Sequence, residues 1–279
     1  MRLQFTKMHG AGNDFVVIDS IRQRVTLTPG QIRHIANRHR GIGCDQVLMV
    51  CAPDRPDADF RYRIFNADGS VAGQCGNGAR CFGRFVRDKR LTDKDDLRVQ
   101  VGDNIMQLQI APDGRVRAEL GAPVFTPSKV PFTSEQELSA YQLEVAGDTV
   151  EMGVLSVGNP HAVLTVSDVR EAPVEQLGRA IEQHPAFPDR VNVGFMQVIS
   201  PSEIRLRVFE RGAGETQACG SGACAAVIHG IRSGELGDQV TVQLPGGKLS
   251  VQWLGDGHPV WLGGPAASVF DGSIKLHKR

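Results

Sequence analysis

Two cysteines in this chain each begin a Cys-Gly-x-Gly segment, and the segments are Cys75-Gly-Asn-Gly78 and Cys219-Gly-Ser-Gly222. The similarity extends upstream of both. Aligned without a gap on the cysteines, the two copies match at three further pairs: Arg63 with Arg207, Phe65 with Phe209, and, just downstream, Ala79 with Ala223. A duplicated cysteine flanked by glycines suggests two equivalent thiols that act on one substrate from opposite sides.

The residues around each cysteine predict a strand, a loop and a helix. Phe60–Phe65 and Ile204–Phe209 alternate apolar with basic residues, which is typical of half-buried strands. A polar, glycine-containing loop follows each strand, and helices are expected over Ala79–Lys89 and Ala223–Ile231. Elsewhere, the glycine-containing segment Met8–Phe15 is predicted to be a loop and His258–Leu262 a strand. The second helix is apolar almost all round, so we expect it to be enclosed by protein.

The first of these helices has an amphipathic pattern. One face is expected to carry Cys81, Phe82, Phe85 and Val86, and the other face Arg80, Arg84 and Arg87. This pattern predicts that the arginines lie mostly away from the core.

Each cysteine is therefore expected at a helix N-terminus, where unpaired backbone N–H groups and the positive end of the helix dipole meet. Such a site favours a thiolate, so we expect both thiol pKa values to fall from about 8.5 toward neutrality. The same N–H groups can bind a carboxylate, and glycine allows it to approach closely.

Two thiols near neutral pKa can perform two-base proton transfer. One thiolate removes a proton from a carbon while the opposite thiol delivers a proton to its other face, which inverts the centre. Two alternatives remain open, namely structural cysteines left by an old duplication and a redox dithiol. The other four cysteines, Cys44, Cys51, Cys81 and Cys224, are interpreted as small buried hydrophobic residues.

Composition is that of an ordinary soluble globular protein. The chain has 279 residues, 41% of them hydrophobic and 22% charged, with a formal net charge of zero. This balance argues against a nucleic-acid partner, and no apolar run is long enough to cross a membrane. No Cys/His spacing suggests a metal site, and no Gly-x-Gly pair continues into a dinucleotide fingerprint. We therefore expect a cytoplasmic protein with neither a zinc site nor a dinucleotide site.

The duplication extends over both halves of the chain. Gly12-Asn13 recurs as Gly158-Asn159, and Gln46 recurs as Asn192, at nearly the same offset as the cysteines. The proline-rich stretch Gly121–Pro131 is the best boundary between the halves. The sequence predicts an α+β fold of two pseudo-symmetric domains, each with strands wrapped around a central helix. Their predicted bounds are 1–119 plus 265–279, and 120–264.

The motifs as a set resemble those of the diaminopimelate epimerase family of cofactor-independent amino-acid racemases and epimerases. The resemblance covers essentially the whole chain and gives each domain a mixed or antiparallel β-barrel around its helix. It rests on Met8–Phe15, Gly41–Gln46, Asn66–Ser70, Gly158–His161, Glu210–Thr216 and both cysteine segments. Proline-racemase relatives carry Cys-Gly-His and Cys-Gly-Thr at the cysteines, where this chain has Asn77 and Ser221.

The resemblance implies interconversion of LL- and meso-diaminopimelate, a step toward lysine and peptidoglycan precursors. It makes Cys75 the proton donor and Cys219 the proton acceptor, with roles exchanged in the reverse direction. His161 and Glu210 correspond to residues that tune the thiols. The implied substrate contacts are Asn13, Gln46, Asn66, Gly76, Asn77, Asn159, Asn192, Glu210, Arg211, Gly220 and Ser221, with Arg211 suited to the distal carboxylate.

Simpler interpretations of several of these residues stay open. The asparagines favour turns, the Glu210-Arg211 pair could be a solvated ion pair, and His161 could be a satisfied loop histidine. Relatives often have tyrosine at a dimer contact where this chain has Phe270, and we expect a homodimer. Two other functions also remain open: a racemase or epimerase for another amino acid, such as proline or hydroxyproline, and a non-catalytic amino-acid-binding protein with redox-sensitive thiols.

Overall fold

The computed structural model describes residues 1–73 and 75–276, and their backbone contacts divide the chain into two compact units. Unit 1 contains Met1–Glu119 and the described residues from Gly263 onward, and unit 2 is Leu120–Leu262. Strands and helices are mixed in both units, which confirms the α+β class.

The regular elements of the described residues follow in chain order. The first half contains β1 (Arg2–Gly10), β2 (Asn13–Asp19), α1 (Ser20–Gln23), α2 (Pro29–Ala36), β3 (Gln46–Cys51), β4 (Phe60–Asn66), α3 (Gly76–Asp88), β5 (Asp96–Val101), β6 (Asn104–Ile110) and β7 (Val116–Glu119). The rest comprises β8 (Tyr141–Val145), β9 (Asp148–Ser156), β10 (Pro160–Thr165), α4 (Val174–Glu182), β11 (Asn192–Ser200), β12 (Glu203–Glu210), β13 (Gly214–Thr216), α5 (Gly220–Arg232), β14 (Gln239–Leu244), β15 (Gly247–Gln252), β16 (Trp261–Gly264) and β17 (Ala267–Lys275).

Within its described residues, unit 1 contains a mixed sheet, in which most neighbouring strands are antiparallel and two pairs are parallel. β1 pairs antiparallel with both β17 and β2, and β2 pairs parallel with β3. β3 and β4 are antiparallel, β4 and β5 are parallel, and β5, β6 and β7 continue antiparallel. The final strand thus joins the first half of the chain, as the sequence suggested.

Unit 2 repeats this pattern. β9 and β10 are antiparallel, β10 and β11 parallel, β11 and β12 antiparallel, β12 and β14 parallel, and β14 and β15 antiparallel. The registers correspond as well, since Val47 is opposite Phe65 in unit 1 and Val193 is opposite Phe209 in unit 2. The duplication inferred from sequence is therefore a duplication of topology.

A central helix contacts most strands of each unit. α3 touches β1, β2, β3, β6, β7 and β17, and α5 touches β9, β10, β11, β12, β14 and β15. A second helix covers the other side of the sheet, where Ile32 and Ile35 of α2 join a core with Val16 and Val47. Both faces of the inner strands are thus buried, which explains their nearly continuous apolar sequence.

Several local predictions were wrong. The segment Met8–Phe15 was expected to be a loop, but β1 and β2 extend through it and meet in a two-residue turn. Its central residues, Ala11 and Gly12, have φ values of 53° and 89°, the left-handed region that such hairpin turns require. The turn places Asn13 at the start of β2. The short elements α1 and β13 were not anticipated, and β16 begins at Trp261 rather than His258.

No helix in the described residues is both long enough and apolar enough to cross a membrane.

Two helical glycines give a matched test of the packing. A methyl group added to Gly178 of α4 would lie 2.6 Å from Cβ of Phe209, whereas one added to Gly30 of α2 would meet nothing closer than 3.8 Å. We expect Gly178→Ala to lower the free energy of unfolding by about 1–3 kcal/mol through overpacking. Gly30→Ala should raise it by up to about 1 kcal/mol through helix propensity. Chemical denaturation measures both, and equal effects of the two substitutions would contradict the packing of α4.

Candidate functional site

The two duplicated cysteines are the N-cap residues of the two central helices. Both have extended backbone conformations, with φ and ψ of −137° and 110° at Cys75 and −114° and 110° at Cys219. The sulfur of Cys75 accepts the Gly78 N–H at 3.4 Å, and that of Cys219 accepts the Gly222 N–H at 3.3 Å. The helices begin three residues earlier than the sequence predicted, because the glycine segments form their first turns.

In unit 1, the β1–β2 hairpin brings Asn13 to the Cys75 thiol. The sulfur of Cys75 lies 3.8 Å from Oδ1 of Asn13, within the range of an S–H hydrogen bond. The Nδ2 group of Asn13 donates to Asp45 at 2.8 Å, and Asp45 in turn pairs with Arg38 at 2.8 Å. This series of hydrogen bonds fixes the orientation of the Asn13 amide, since the amide nitrogen must face the carboxylate and the amide oxygen the thiol.

A second polar chain in unit 1 joins Gln46 and Asn66, which are opposite each other on β3 and β4. Nε2 of Gln46 donates to Oδ1 of Asn66 at 3.0 Å, and Nδ2 of Asn66 donates to the Ser70 hydroxyl at 3.0 Å. Ser70 then donates to Asp68 at 2.6 Å. The two predicted site amides are therefore neighbours with defined orientations.

The N-terminal half of α3 contains an arginine whose exposure was predicted wrongly from the sequence. Arg80 was predicted to face away from the core, but it is completely buried. Its Nη2 group donates to Oδ1 of Asn77 at 2.9 Å, and Nη1 donates to the carbonyl of Gly76 at 3.4 Å. The amphipathic pattern failed here because the N-terminal half of α3 is enclosed on every side. Arg84 and Arg87 are partly exposed.

In unit 2, polar side chains surround the Cys219 thiol. The Ser221 hydroxyl lies 3.6 Å from its sulfur. Glu210 ends β12 and also interacts with the thiol, while its carboxylate accepts a hydrogen bond from Thr216 on the short strand β13. Thr216 was not among the predicted site residues, although it lies in the motif Glu210–Thr216.

The Cys219 thiol contradicts the expectation of a lowered pKa. Burial raises the pKa of Cys219 well above its ordinary value, and the negative charge of Glu210 raises it further. Hydrogen bonds from Ser221 and the Gly222 N–H oppose this shift but are outweighed. The helix end is present as predicted. Desolvation of the thiolate is the larger effect in this state of the protein.

Three further predicted site residues of unit 2, Asn159, His161 and Asn192, form hydrogen bonds near the starts of β10 and β11. His161 is fully buried, and its Nε2 group lies 3.0 Å from Oδ1 of Asn159. Asn192 donates to the Pro160 carbonyl at 2.8 Å and accepts the Arg211 N–H at 3.0 Å. Burial and the charge of Arg211 lower the pKa of His161 to about 3, so its ring is neutral at physiological pH.

The predicted site residues thus fall into two clusters, one in each unit. Asn13, Gln46, Asn66, Cys75, Gly76 and Asn77 lie in unit 1, and Asn159, His161, Asn192, Glu210, Arg211, Cys219, Gly220 and Ser221 lie in unit 2. Arg211 has an exposed side chain whose Nη1 group donates to the Asp189 carbonyl at 2.9 Å. Phe270 on β17 is 49% exposed. Within the described ranges, no group of three or more His, Cys, Asp or Glu side chains is arranged to hold a metal ion.

The effect of Glu210 on Cys219 can be tested by thiol alkylation. Because the Glu210 charge raises the Cys219 pKa, Glu210→Gln should lower it and increase the thiolate fraction at neutral pH. We expect iodoacetamide to alkylate Cys219 about tenfold faster in this variant, because loss of the Glu210 charge favours the reactive thiolate. Peptide mass spectrometry resolves Cys219 from the other cysteines. Glu215→Gln, on the neighbouring strand, is the control, and an equal acceleration there would contradict a specific effect of Glu210.

The buried His161 should make the fold acid-sensitive. A ring with a folded pKa near 3 and an ordinary value of 6.5 is held neutral in the native state, so the unfolded chain binds the proton more tightly. The stability associated with the neutral ring is fully present above about pH 6.5 and is lost as the pH falls toward 3. The free energy of unfolding then falls by up to about 1.4 kcal/mol per pH unit. The free energy of unfolding of His161→Gln should depend less on pH between 6.5 and 4. The exposed His39→Gln control should retain the wild-type slope.

Comparison with known proteins gives a consistent result. The model of the family described as diaminopimelate epimerase matches residues 5–126 and 153–269. Diaminopimelate epimerase of Thioalkalivibrio sulfidiphilus is 57% identical over 99% of this chain and 100% of its own length. That of Stutzerimonas stutzeri is 54% identical, again over 99% and 100%.

Solved structures with the same fold are more distant in sequence. A PhzF-family phenazine biosynthesis protein from Bacillus anthracis superposes with a TM-score of 0.71 at 15% identity, covering 99% of this chain and 100% of that one. A hydroxyproline epimerase from Agrobacterium vitis gives a TM-score of 0.70 at 15% identity, covering 98% and 92%. These similarities show the fold alone. The family match and the near-full-length relatives show that the chain belongs to the diaminopimelate epimerase family.

Proposed function

We propose that this protein interconverts LL- and meso-2,6-diaminopimelate by moving a proton on and off one α-carbon, in lysine and peptidoglycan-precursor biosynthesis. The observation that carries the proposal is the pair of N-cap cysteines, Cys75 and Cys219, each at the start of a central helix. The two near-full-length relatives named above support diaminopimelate as the substrate.

The proposed chemistry needs one thiolate and one thiol. Cys219 as thiolate removes the α-proton, and Cys75 as thiol delivers a proton to the opposite face, so that the centre is inverted and the charges on the two sulfurs are exchanged. The reverse reaction uses the same groups in exchanged roles. Two protons are transferred, one from the α-carbon to the Cys219 sulfur and one from the Cys75 sulfur to the α-carbon, and nothing is oxidised or reduced. The proposal therefore requires no cofactor or metal.

The raised pKa of Cys219 gives substrate binding a role in this mechanism. In the structure, burial and Glu210 favour the protonated thiol. A bound substrate places its α-ammonium and its carbon acid beside the sulfur. The positive charge of the ammonium group favours the thiolate and offsets the effect of Glu210. We propose that Glu210 and the buried, neutral His161 set the pKa values of the thiols, which the charge of the bound substrate then changes.

Backbone N–H groups at the two helix ends are proposed to bind the reacting carboxylate. Removal of an α-proton moves negative charge onto that carboxylate, and preorganised N–H donors stabilise the charge as it develops. The residues proposed to supply these donors and to contact the α-amine are Gly76, Asn77, Gly220 and Ser221. Their positions in the first turns of α3 and α5 support this assignment.

The remaining polar residues are proposed to recognise the distal amino-acid end of the substrate. Arg211 suits its carboxylate, because a guanidinium can bind a carboxylate through two parallel hydrogen bonds. The amides proposed to complete this recognition are Asn13, Gln46, Asn66, Asn159 and Asn192. Their fixed orientations reduce the entropy lost when substrate binds.

We further propose a cytoplasmic homodimer in which Phe270 contributes to the interface. Val269 and Phe270 are exposed apolar residues on β17, at 57% and 49%, and the Phe270 ring packs edge-on against Phe5 with centroids 5.9 Å apart. The cytoplasmic location follows from the proposed biosynthetic role.

Proton exchange in D2O tests the reaction. Reduced protein with LL-diaminopimelate and no added cofactor should form meso product that carries one α-deuterium, while the substrate recovered early stays protonated. NMR follows both species. Deuterium in substrate and product alike would contradict two separate bases, and the absence of exchange would favour the binding-protein alternative. Proline and hydroxyproline, tested in parallel, should show no exchange.

Single-cysteine variants test the assignment of the two bases. Cys75→Ala and Cys219→Ala should each reduce epimerisation by about 10²–10⁴-fold, because one proton transfer is lost. Each variant retains one thiol, so each should exchange the α-proton of only one stereoisomer, and the two variants should differ in which one. Cys51→Ala, which removes a half-buried cysteine distant in sequence from both motifs, should keep wild-type turnover. Exchange of the same stereoisomer by both variants would contradict the assignment.

A further inference from the structure

Arg80 occupies an unfavourable place for a positive charge. It is completely buried, and it is the fifth residue of α3, close to the positive end of the helix dipole. Burial of a charged side chain costs several kcal/mol unless it is compensated. An arginine that served only packing could be replaced by an apolar residue of similar volume. The guanidinium is therefore expected to act on the groups around it.

The contacts of Arg80 point to the Cys75 end of the helix. The guanidinium donates to Oδ1 of Asn77 at 2.9 Å and to the carbonyl of Gly76, the residue directly after Cys75, at 3.4 Å. A guanidinium only donates, so the oxygen of the Asn77 amide must face it and the Nδ2 group must face away. Arg80 thus decides which way a proposed substrate-contact amide points.

Strand β1 packs closely against the Arg80 guanidinium and the Asn77 backbone. A methyl group added to Gly10 would lie 3.3 Å from Nη2 of Arg80 and 3.2 Å from the Asn77 carbonyl. The backbone of β1 therefore holds the guanidinium against the first turn of α3, and a buried, tightly packed arginine keeps one orientation.

The duplicated half of the chain has no counterpart to this charge. Cys224, buried and uncharged, stands in α5 where Arg80 stands in α3, and Ser221 stands in the place of Asn77. At the end of the preceding strand the difference is reversed, since Glu210 in unit 2 matches Asn66 in unit 1. The same arrangement of strand, loop and helix therefore has a cation, Arg80, near the Cys75 cap and an anion, Glu210, beside the Cys219 thiol.

We propose that Arg80 is a positioning residue of the Cys75 cluster, which orients the Asn77 amide toward substrate and supplies the positive charge that favours the Cys75 thiolate and a nearby carboxylate. The substrate part of this inference rests on the proposed function. The effect on the thiol does not, because it concerns the protein alone.

Other titratable groups near the cluster would respond to the same charge. Tyr62 on β4 and Cys81 on α3 both interact electrostatically with Cys75, and the Tyr62 hydroxyl lies 3.5 Å from the Cys75 carbonyl. Burial raises the pKa of the Cys81 thiol to about 12, and the charge of Arg80 opposes that rise. Lys7, His9 and Asp14 lie on the β1–β2 hairpin, whose strands pack against α3. Both Tyr62 and Cys81 are neutral near pH 7, so Arg80 is the buried charge on α3 closest to the Cys75 cap.

Alkylation of the full-length protein across a pH series tests the effect on the thiol. Arg80→Met removes the charge and keeps much of the side-chain length, and we expect Cys75 to react about tenfold more slowly at pH 7, with its reactivity curve moved to higher pH. The Cys219 curve should not move. Arg84→Gln is the matched control one turn along the same helix, where the side chain is partly exposed and paired with Asp88 at 2.9 Å. It should leave both curves unchanged, and an unchanged Cys75 curve in Arg80→Met would overturn the proposal.

Arg80→Lys separates charge from orientation and also serves if Arg80→Met does not fold. Lysine keeps the charge but loses the planar guanidinium, so the Cys75 curve should stay near that of the wild type. Epimerisation with diaminopimelate should still fall by about tenfold in kcat/KM, because the Asn77 amide is no longer held. A wild-type kcat/KM in Arg80→Lys would overturn the positioning role. Absence of epimerisation in the wild-type protein would instead reject the proposed function, and the alkylation result would remain valid.

Discussion

The structure depends on a sulfur atom that caps a helix. In each unit the cysteine takes the position where serine, threonine or aspartate usually accepts the exposed N–H groups of the first turn. This contact fixes the sulfur relative to the helix axis. The N–H that the sulfur accepts belongs to the third residue after the cysteine, Gly78 or Gly222, and that position requires glycine. A methyl group at Gly78 would lie 2.5 Å from the Tyr62 hydroxyl, and one at Gly222 would lie 3.2 Å from its own cap sulfur. The strands around each central helix hold this first turn in place.

The two units share a frame but differ in charge. Strand order, direction and register correspond between them, and both cap residues have extended backbone conformations. Within that frame, unit 1 has Arg80 and Asn66 where unit 2 has Cys224 and Glu210. Topology therefore supplies two equivalent positions for a thiol, and a few side chains make the surroundings of those thiols unequal. A reaction between two stereoisomers benefits from such inequality, because the isomers present different groups to the two sides.

Sequence patterns predicted the features that local chemistry determines. The strand, glycine loop and helix around each cysteine were recognisable because alternation, glycine spacing and helical periodicity are properties of short segments. The exposure of Arg80 and the pKa of Cys219 were predicted wrongly because both depend on burial, which comes from strands distant in sequence. The segment Met8–Phe15 misled for a different reason: two glycines suggested a loop, whereas only Gly12 and Ala11 form the turn and Gly10 allows close packing of β1 on α3.

The pairing of β17 with β1 has a consequence for synthesis of the chain. Residues from Arg2 to His9 find their antiparallel partners between Ala267 and Lys275, and the N-terminal ammonium group donates to the Leu276 carbonyl at 2.6 Å. Unit 2 is continuous in sequence, so all its strands leave the ribosome before unit 1 receives its last one. Until then β1 has an open edge, and an unpaired edge strand invites association with other chains. The half of the protein that is translated first is thus the half that is completed last.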